Sequence, residues 1–358
     1  MRWRIVLIIL SLVVVVIAGG LFLLRWWMEQ PLYKPGDVRA GRNLRGSLQP
    51  PAQPGDSGIW QVEPDVRLRR FSRGEGKNVL FVHGGPGFPV REPYAGLEAL
   101  AGRFRIHYYD QRGCGGSSRP IQRFESRNFG ANLTQLDQAL GIGAQLADIE
   151  RIRRILGDDR LVLIGHSYGG FLAALYAAEF PERVRSMVLI APANLLVMPS
   201  PAGGLFDEVR RRLPAQRQAA YDAWLKRYLD FSGVFSRSDS ELAAEHLEFA
   251  AFYRDAGGMP PALAAARPED AGGWMVRAQY FSMGRRHDYR PAMAAVRAPA
   301  LVIHGDRDFQ PEAASREYVT ALPNATLKVI PGAGHFPQQE TPERFAGIVM
   351  EFLLAKTS

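Results

Sequence analysis

The sequence of 358 residues contains a single cysteine, Cys114, and this scarcity excludes several kinds of scaffold and site. One cysteine cannot form an intramolecular disulfide and cannot supply a cysteine metal cluster. The sequence also shows no metal, nucleotide or flavin motif, so we expect neither a metal nor a cofactor. The fold must therefore be held by core packing, and a hydrophobic content of 47% is ordinary for such a chain.

The sequence also lacks a compact basic run and an internal repeat. Its formal net charge is +8, carried mostly by arginine, but the arginines are scattered along the chain. Nucleic-acid binding calls for a patch or stripe of positive charge, so we expect no nucleic-acid partner. The absence of a repeat argues against a solenoid or a propeller.

The N-terminus carries the one long apolar run, residues 5–24, which is uncharged and flanked by arginines. About twenty residues in a helix span about 30 Å, the thickness of a bilayer core, and Trp26 and Trp27 follow at the level of an interfacial aromatic belt. The run predicts a single membrane anchor in residues 1–29, with a cleaved signal peptide as the alternative. The basic residues before the run favour export of the rest of the chain, whereas those after it favour the opposite orientation. We expect the rest of the chain to lie on the outer side of the cytoplasmic membrane.

The rest of the chain divides into three parts by composition and pattern. Residues 30–57 are polar and rich in proline and glycine, which predicts a linker. Apolar periodicity then predicts strands alternating with helices in residues 58–193 and 291–358, which indicates a doubly wound, mostly parallel α/β sheet. Residues 194–290 interrupt this pattern between the strands 187–190 and 300–304, are mostly helical by pattern, and are predicted to form a cap. The predicted strands are 78–82, 104–109, 161–164, 187–190, 300–304 and 326–330, and the predicted helices of the sheet domain are 145–156, 171–179, 312–322 and 342–355.

The segment GHSYG at residues 165–169 has the form G-x-S-x-G and lies between a predicted strand and a predicted helix. Glycines at both ends allow a sharp turn that lifts the serine hydroxyl clear of the sheet. The turn also sets the hydroxyl near a helix N-terminus, which favours developing negative charge. The segment therefore predicts Ser167 as a nucleophile.

The segment HGGPG at residues 83–87 follows the predicted strand 78–82. In a fold of this type, an N–H group from this loop and the N–H of the residue after the nucleophile bind the oxyanion. We expect Gly85 and Tyr168 to supply these groups, with Gly84 as the second candidate and as a residue in contact with substrate. We expect His83 to stabilise the loop.

Two further loops complete a predicted catalytic triad. His335 follows the last predicted strand on a glycine-flanked loop, where a histidine is well placed to take the serine proton. Asp308 follows the strand 300–304, where a carboxylate reaches a histidine on the next loop, whereas Asp306 is expected to shape the turn. The order serine, aspartate, histidine is the one expected for this architecture.

With these motifs in place, the chain resembles the proline iminopeptidase-like branch of the α/β-hydrolase superfamily. The resemblance rests on HGGPG at 83–87, DQRGCGGS at 110–117 and GHSYGG at 165–170, and it extends from about residue 79 to residue 352 outside the cap. It implies an α/β-hydrolase fold and a serine hydrolase that cleaves amide or ester bonds through an acyl-enzyme, often removing an N-terminal proline from a short peptide. The segment that begins at Asp110 is expected to brace the oxyanion loop, with Cys114 as a bystander thiol.

The resemblance leaves the substrate open. In iminopeptidases, acidic residues of the cap bind the free amine of the substrate, and Glu245 and Glu248 are the candidates for this role, although their helical spacing is equally typical of a solvated face. Ala250 stands where the family would have an acid. The leading hypothesis is an aminopeptidase on short peptides, and the alternative is a carboxylesterase or lipase with an apolar cap pocket. The third hypothesis is an inactive binding protein on a hydrolase scaffold, which the intact triad disfavours.

Overall fold

Eight strands form the central sheet, as seen in a computed structural model that describes residues 29–55, 58–201, 203–260 and 267–357 together with residues 3, 15, 19, 20 and 26. The strands are Ile59–Glu63 (β1), Val66–Arg73 (β2), Lys77–Val82 (β3), Phe104–Tyr109 (β4), Leu161–His166 (β5), Val184–Ile190 (β6), Ala300–Gly305 (β9) and Ala325–Ile330 (β10). Their order is β1-β2-β4-β3-β5-β6-β9-β10. The pairs β1–β2 and β2–β4 are antiparallel, and all other neighbours in this sheet are parallel. A separate ribbon pairs Val197–Met198 (β7) with His287–Asp288 (β8).

Helices cover both faces of this sheet, so its central strands are apolar on both sides. In β3, Leu80 and Val82 pack into the cluster that holds the two helices before and after β5, whereas Val79 and Phe81 pack into the cluster beneath the C-terminal helix. This is why the central strands appear in the sequence as continuous apolar runs rather than as alternating patterns. The helices outside the cap are Ala95–Glu98 (α1), Phe129–Leu140 (α2), Ile142–Leu156 (α3), Tyr168–Glu179 (α4), Arg290–Met293 (α9), Glu312–Ala321 (α10), Pro337–Glu340 (α11) and Pro342–Thr357 (α12), with a 3₁₀ turn at Pro181–Arg183.

Four longer helices lie between β6 and β9 along the chain. They are Leu205–Arg212 (α5), Ala215–Tyr228 (α6), Asp239–Asp255 (α7) and Trp274–Met283 (α8), with a 3₁₀ turn at Val234–Ser236. Their buried aromatic side chains, among them Trp224, Tyr228 and Trp274, form a cluster that also takes in Phe309 and Phe336 from the loops beyond β9 and β10. This shared cluster holds the helices over the carboxyl ends of the strands.

The observed elements agree with the sequence in the parallel part of the sheet and differ from it elsewhere. All six predicted strands are present, with ends within three residues of those predicted. The hairpin of β1 and β2 and the helices α2 and α8 were not predicted. The signal for the hairpin was the alternation of apolar and charged residues in β2, whose buried side chains include Val66 and Leu68.

The predicted N-terminal membrane helix is wrong: within the part of the chain that the structure describes, no helix is sufficiently long and apolar to cross a membrane. Of the apolar run at 5–24, only residues 15, 19 and 20 are described, and the remainder of the predicted anchor in residues 1–29 lies outside the described residues. The prediction rested on the length and apolar character of the run and on its flanking residues, whereas a span requires a continuous apolar helix of about 20 residues, and none is found among the described residues. The membrane partner and the membrane localisation that followed from the anchor are withdrawn with it.

The polar segment at 30–48 packs on the domain rather than connecting it loosely. Tyr33 and Val38 are buried in the core, at 2% and 0% exposure. The carboxylate of Glu179, at the end of α4, accepts hydrogen bonds from the Tyr33 hydroxyl at 2.8 Å and from the N–H groups of Gly36 at 2.7 Å and Arg39 at 3.1 Å. The buried apolar residues of this segment, which we call the strap, are few and follow no period, so apolar periodicity did not indicate that it packs on the domain.

If the strap is part of the folded domain, truncating Tyr33 will destabilise it. We expect Tyr33→Ala to lower the free energy of unfolding by about 3 kcal/mol, because it leaves a cavity. We expect Tyr33→Phe to cost about 1 kcal/mol through the lost hydrogen bond to Glu179. Urea unfolding of the full-length chain measures both. Lys34, the exposed neighbour of Tyr33, provides the control, since the stability of Lys34→Ala should stay within about 0.5 kcal/mol of that of the parent. Equal stability of the parent and all three variants would show that this segment is only a linker.

Candidate active site

Ser167 lies at the turn between β5 and α4 in a backbone conformation that is rare for a residue with a side chain. Its φ is 54° and its ψ is −120°, so the turn is strained. Hydrogen bonds maintain this strained conformation. The Ser167 N–H donates to the carbonyl of Ile190 at 2.8 Å. The Ser167 carbonyl accepts from the N–H groups of Gly170 at 2.9 Å and Ala193 at 3.0 Å. The side chain is thereby directed into a cavity above the sheet.

Two glycines allow the turn to approach the loop after β3. A Cβ atom on Gly169 would lie 2.0 Å from the carbonyl oxygen of Val82, and one on Gly84 would lie 2.9 Å from the Cβ of Ser167. Contacts this short cannot be made by any larger residue without moving the backbone. The predicted oxyanion loop is therefore in van der Waals contact with the predicted nucleophile.

His335 and Asp308 form a close pair beside the same cavity. The Nδ1 atom of His335 lies 3.0 Å from both carboxylate oxygens of Asp308. The loop of His335 is fixed by His166, whose Nε2 donates to the His335 carbonyl at 2.8 Å. His166 remains neutral, since burial lowers its pKa to about 3. His335 and Ser167 both line the cavity.

The carboxylate of Asp308 is stabilised as an anion although it is buried. Burial alone would raise its pKa, but the adjacent His335, the hydrogen bond from His335 and the N–H of Gln310 at 2.9 Å together lower the pKa of Asp308 below its usual value. The competing acid, Asp306, is exposed and accepts a hydrogen bond from the Gly332 N–H at 2.7 Å. The structure thus brings Asp308, and not Asp306, to the histidine.

The oxyanion loop is held from below by His83 and Gln111. The N–H of Gln111 donates to Nε2 of His83 at 3.1 Å, so Nδ1 of His83 carries the hydrogen and donates to the Gly84 carbonyl at 2.9 Å. The Gln111 side chain donates to the His83 carbonyl at 2.8 Å. The expectations that His83 stabilises the loop and that the segment at 110–117 braces it are confirmed by these bonds.

Two N–H groups remain available next to Ser167. Within the described ranges, neither the N–H of Gly85 nor that of Tyr168 has a hydrogen-bond acceptor. Tyr168 is the first residue of α4, where a helix leaves its N–H groups without an intrahelical partner and carries partial positive charge. Gly85 lines the cavity. The two groups are therefore free to bind an anion.

The cavity around Ser167 has a volume of about 410 Å³, and apolar and aromatic side chains line it together with charged ones. Leu205 and Phe249 of the cap line it, so the cap supplies apolar side chains to the cavity. Sequence reasoning missed most of the lining, because loop positions carry no period that indicates which side chains point inward. The missed apolar and aromatic residues are Phe88, Val90, Tyr94, Tyr253, Met259 and Phe336.

Charged residues of the lining lie near Arg91. The Arg91 guanidinium pairs with Asp270, with one bond at 3.0 Å, and lies 3.4 Å from the buried Asp110. Glu92, the next residue, also lines the cavity and is exposed. Sequence reasoning missed these residues as well. Within the described part of the chain, no group of three or more potential metal ligands lies together.

The structure does not bring Glu245 or Glu248 to Ser167. Glu245 is buried within the cap, where its carboxylate pairs with Arg277 and, at 2.8 Å, with Arg237. Glu248 is on the surface and pairs with Arg227 at 3.1 Å. Neither is among the described residues that line the cavity, whereas Ala250 is.

The lone thiol of Cys114 does not reach the cavity lining. Cys114 is fully buried, and its Sγ contacts the Gln111 carbonyl at 3.2 Å. Burial, together with the nearby Asp110, raises the pKa of the thiol well above its usual value. A buried thiol of this kind is unreactive.

Comparisons with known proteins agree with this arrangement. Residues 77–342 match the family model described as alpha/beta hydrolase fold. The chain is 25% identical over 293 residues to a proline iminopeptidase of Lactobacillus delbrueckii subsp. bulgaricus, an alignment that covers 78% of this chain and 90% of that protein. It is 28% identical over 303 residues to haloalkane dehalogenase 2 of Mycobacterium bovis, which covers 82% and 93% respectively. A thermophilic esterase from Thermogutta terrifontis is similar in structure, with a TM-score of 0.56, 23% identity and coverage of 86% of this chain and 100% of that one.

The lowered pKa of Asp308 predicts a specific loss of stability in acid. A carboxylate whose folded pKa lies below its unfolded value of about 3.9 stabilises the protein above that value, and its contribution disappears as the pH falls through the folded pKa. We expect the free energy of unfolding to fall more steeply between about pH 5 and pH 2.5 in the parent than in Asp308→Asn. Denaturant unfolding across this range measures the difference. Parallel curves for the two proteins would contradict the stabilised anion.

Proposed function

The chain belongs to the α/β-hydrolase fold family, and from this premise we propose that it is a serine hydrolase that cleaves carboxylic esters through an acyl-enzyme on Ser167. The observation that carries the proposal is the pairing of His335 with Asp308 at 3.0 Å beside the cavity that also holds Ser167. Since the Nδ1–H of His335 donates to Asp308, its Nε2 is left as an acceptor for the serine proton.

The reaction proceeds in two acyl-transfer steps. The Ser167 Oγ attacks the ester carbonyl while His335 takes its proton, and the oxyanion accepts hydrogen bonds from the N–H groups of Gly85 and Tyr168. The intermediate collapses as His335 gives the proton to the leaving alcohol, which leaves an acyl-serine. A water molecule, deprotonated by His335, then attacks the acyl-serine and releases the acid.

The residue at position 167 separates this proposal from dehalogenation, despite the relative named haloalkane dehalogenase 2. Displacement of a halide from carbon requires a carboxylate nucleophile at this position, so that a water molecule can hydrolyse the resulting ester. A serine there forms an ether, which His335 cannot hydrolyse. The serine therefore favours carbonyl chemistry.

The cavity lining favours esters with an apolar acyl group. Leu205, Phe249 and Tyr253 close the cavity from the cap side, and Ala250 lies between them. An apolar pocket binds a hydrocarbon group by removing its surface from water. The two cap glutamates that were expected to bind an amine are paired with arginines elsewhere.

Aminopeptidase activity is the second candidate. It is supported by the relative named proline iminopeptidase, whose alignment covers 78% of this chain, and by Glu92, an exposed carboxylate in the cavity lining. A free carboxylate at this position is able to pair with the ammonium group of a peptide N-terminus. The same triad then cleaves the amide bond.

Substitutions in the triad should lower the rate of ester hydrolysis by amounts that depend on the role of the residue replaced. We expect Ser167→Ala to lower kcat for short p-nitrophenyl esters by on the order of 10⁶, and Asp308→Asn to lower it by about 10³ to 10⁴, because the histidine loses its orientation. Steady-state kinetics measures both. The matched control is Asp306→Asn, which changes only a turn and should retain the parent kcat. Retained turnover in Ser167→Ala would refute the proposal.

The choice between ester and peptide follows from a panel of substrates. We expect acyl esters to be turned over faster than aminoacyl arylamides, and Glu92→Gln to leave ester turnover unchanged. Glu248→Gln is the matched control, since its carboxylate lies outside the cavity. The second candidate would be established instead if arylamine release were abolished by N-acetylation of the substrate and by Glu92→Gln, but not by Glu248→Gln.

A further inference from the structure

A buried histidine of the cap contacts the oxyanion loop directly. His246 lies on α7, is 4% exposed, and its Nε2 lies 2.8 Å from the carbonyl oxygen of Pro86. Its ring stacks on Phe88, with centroids 4.5 Å apart and planes inclined by 19°. His246 is outside the triad and is not among the residues that line the cavity.

The hydrogen bonds of His246 define its tautomer. A carbonyl oxygen only accepts, so the Nε2 of His246 carries a hydrogen and donates it to Pro86. Burial lowers the pKa of His246 to about 4, so the ring is neutral and its Nδ1 is an acceptor. The Tyr228 hydroxyl, 3.0 Å from this Nδ1, is therefore the donor.

Tyr228 is itself held by the ion pair that contains Glu245. The Arg277 guanidinium donates to the Tyr228 carbonyl and lies 4.3 Å from the centre of the Tyr228 ring. Arg277 in turn pairs with the buried Glu245 carboxylate. A continuous set of contacts thus runs from Glu245 through Arg277 and Tyr228 to His246 and the loop.

The loop is held from two sides, and Gly85 lies between the two sets of contacts. From the α/β domain, His83 donates to the Gly84 carbonyl at 2.9 Å. From the cap, His246 donates to the Pro86 carbonyl, and the N–H of Gly272 donates to the Gly87 carbonyl at 2.9 Å. The Gly85 N–H belongs to the peptide group whose carbonyl His83 holds, and the cap contacts at Pro86 and Gly87 hold the part of the loop that directly follows this peptide group.

We propose that His246 is a positioning residue that orients the oxyanion loop through its hydrogen bond to Pro86, so that the cap contributes to catalysis as well as to the pocket. This role rests on the proposed function, since it assumes that the Gly85 N–H binds an oxyanion. Oxyanion donors act on charge that develops in the transition state, so their misplacement lowers kcat and leaves KM unchanged.

The test compares two substitutions at His246 in the full-length chain with p-nitrophenyl esters. His246→Phe keeps the ring that stacks on Phe88 and removes the donor, and we expect kcat to fall about 10-fold to 100-fold with KM unchanged, somewhat less than the loss of a whole oxyanion donor. His246→Gln places an amide N–H near the position of Nε2, and we expect it to restore kcat to near the parent value. Thermal unfolding of each variant shows whether it is folded.

His287→Phe is the matched control, because His287 is also a buried histidine that contacts backbone carbonyls, at 2.9 Å, but lies away from the loop. It should leave kcat unchanged. If His246→Phe fails to fold, Tyr228→Phe replaces it in the test. Without the Tyr228 hydroxyl, His246 can also adopt the tautomer with its hydrogen on Nδ1, which cannot donate to Pro86. We therefore expect kcat to fall, but less than in His246→Phe.

The outcomes separate the positioning role from the proposed function. An unchanged kcat in His246→Phe, or a fall that His246→Gln does not reverse or that His287→Phe shares, overturns the positioning role while the hydrolase stands. A rise in KM with constant kcat also overturns it, because that result indicates a pocket contact. Absence of all hydrolysis in the parent overturns the proposed function and the positioning role together.

Discussion

The close approach between the turn at Ser167 and the loop after β3 is the constraint on which the site depends. The backbone of Gly169 lies so near the Val82 carbonyl that a Cβ would stand 2.0 Å from it, and a Cβ on Gly84 would stand 2.9 Å from the Cβ of Ser167. This approach brings the first N–H of α4 and the glycine loop to the same side of the serine. It also leaves Ser167 at a φ of 54°, a conformation that the surrounding hydrogen bonds must maintain.

The acids of the cap described here are paired with arginines, including Asp270, which lines the cavity. Glu245 pairs with Arg277 inside the cap, and Asp270 pairs with Arg91 beside the loop. A buried carboxylate without such a partner would be strongly destabilising, and a paired one has little capacity left to bind a substrate amine. Glu245, one of the two candidates for substrate binding, therefore has a positioning role available to it instead, through the contacts that end at His246.

The sequence predicted the parts of the fold that are encoded locally. The strand 300–304 is an almost wholly apolar run, and 326–330 alternates polar and apolar residues. The loops after them carry Asp308 and His335, so pattern and chain order sufficed to predict this pair. The contacts within the cap could not be predicted in this way. Helical spacing shows which residues share one face of a helix but not what that face packs against, so the pairing of Glu245 with Arg277 was not expected. The strap around Tyr33 has too few apolar residues to show a helical or strand periodicity, so its packing could not be predicted. The predicted membrane helix was wrong, since no helix among the described residues is long and apolar enough to cross a membrane.

The most direct test of the account is to locate the covalent adduct formed with a fluorophosphonate, which mimics the ester carbonyl and bonds to an activated serine. Peptide mass spectrometry of the labelled full-length chain should find the adduct on Ser167, and His335→Asn should abolish it, because the serine then lacks its base. An adduct on another residue, or labelling of Ser167 that persists in His335→Asn, would contradict the triad.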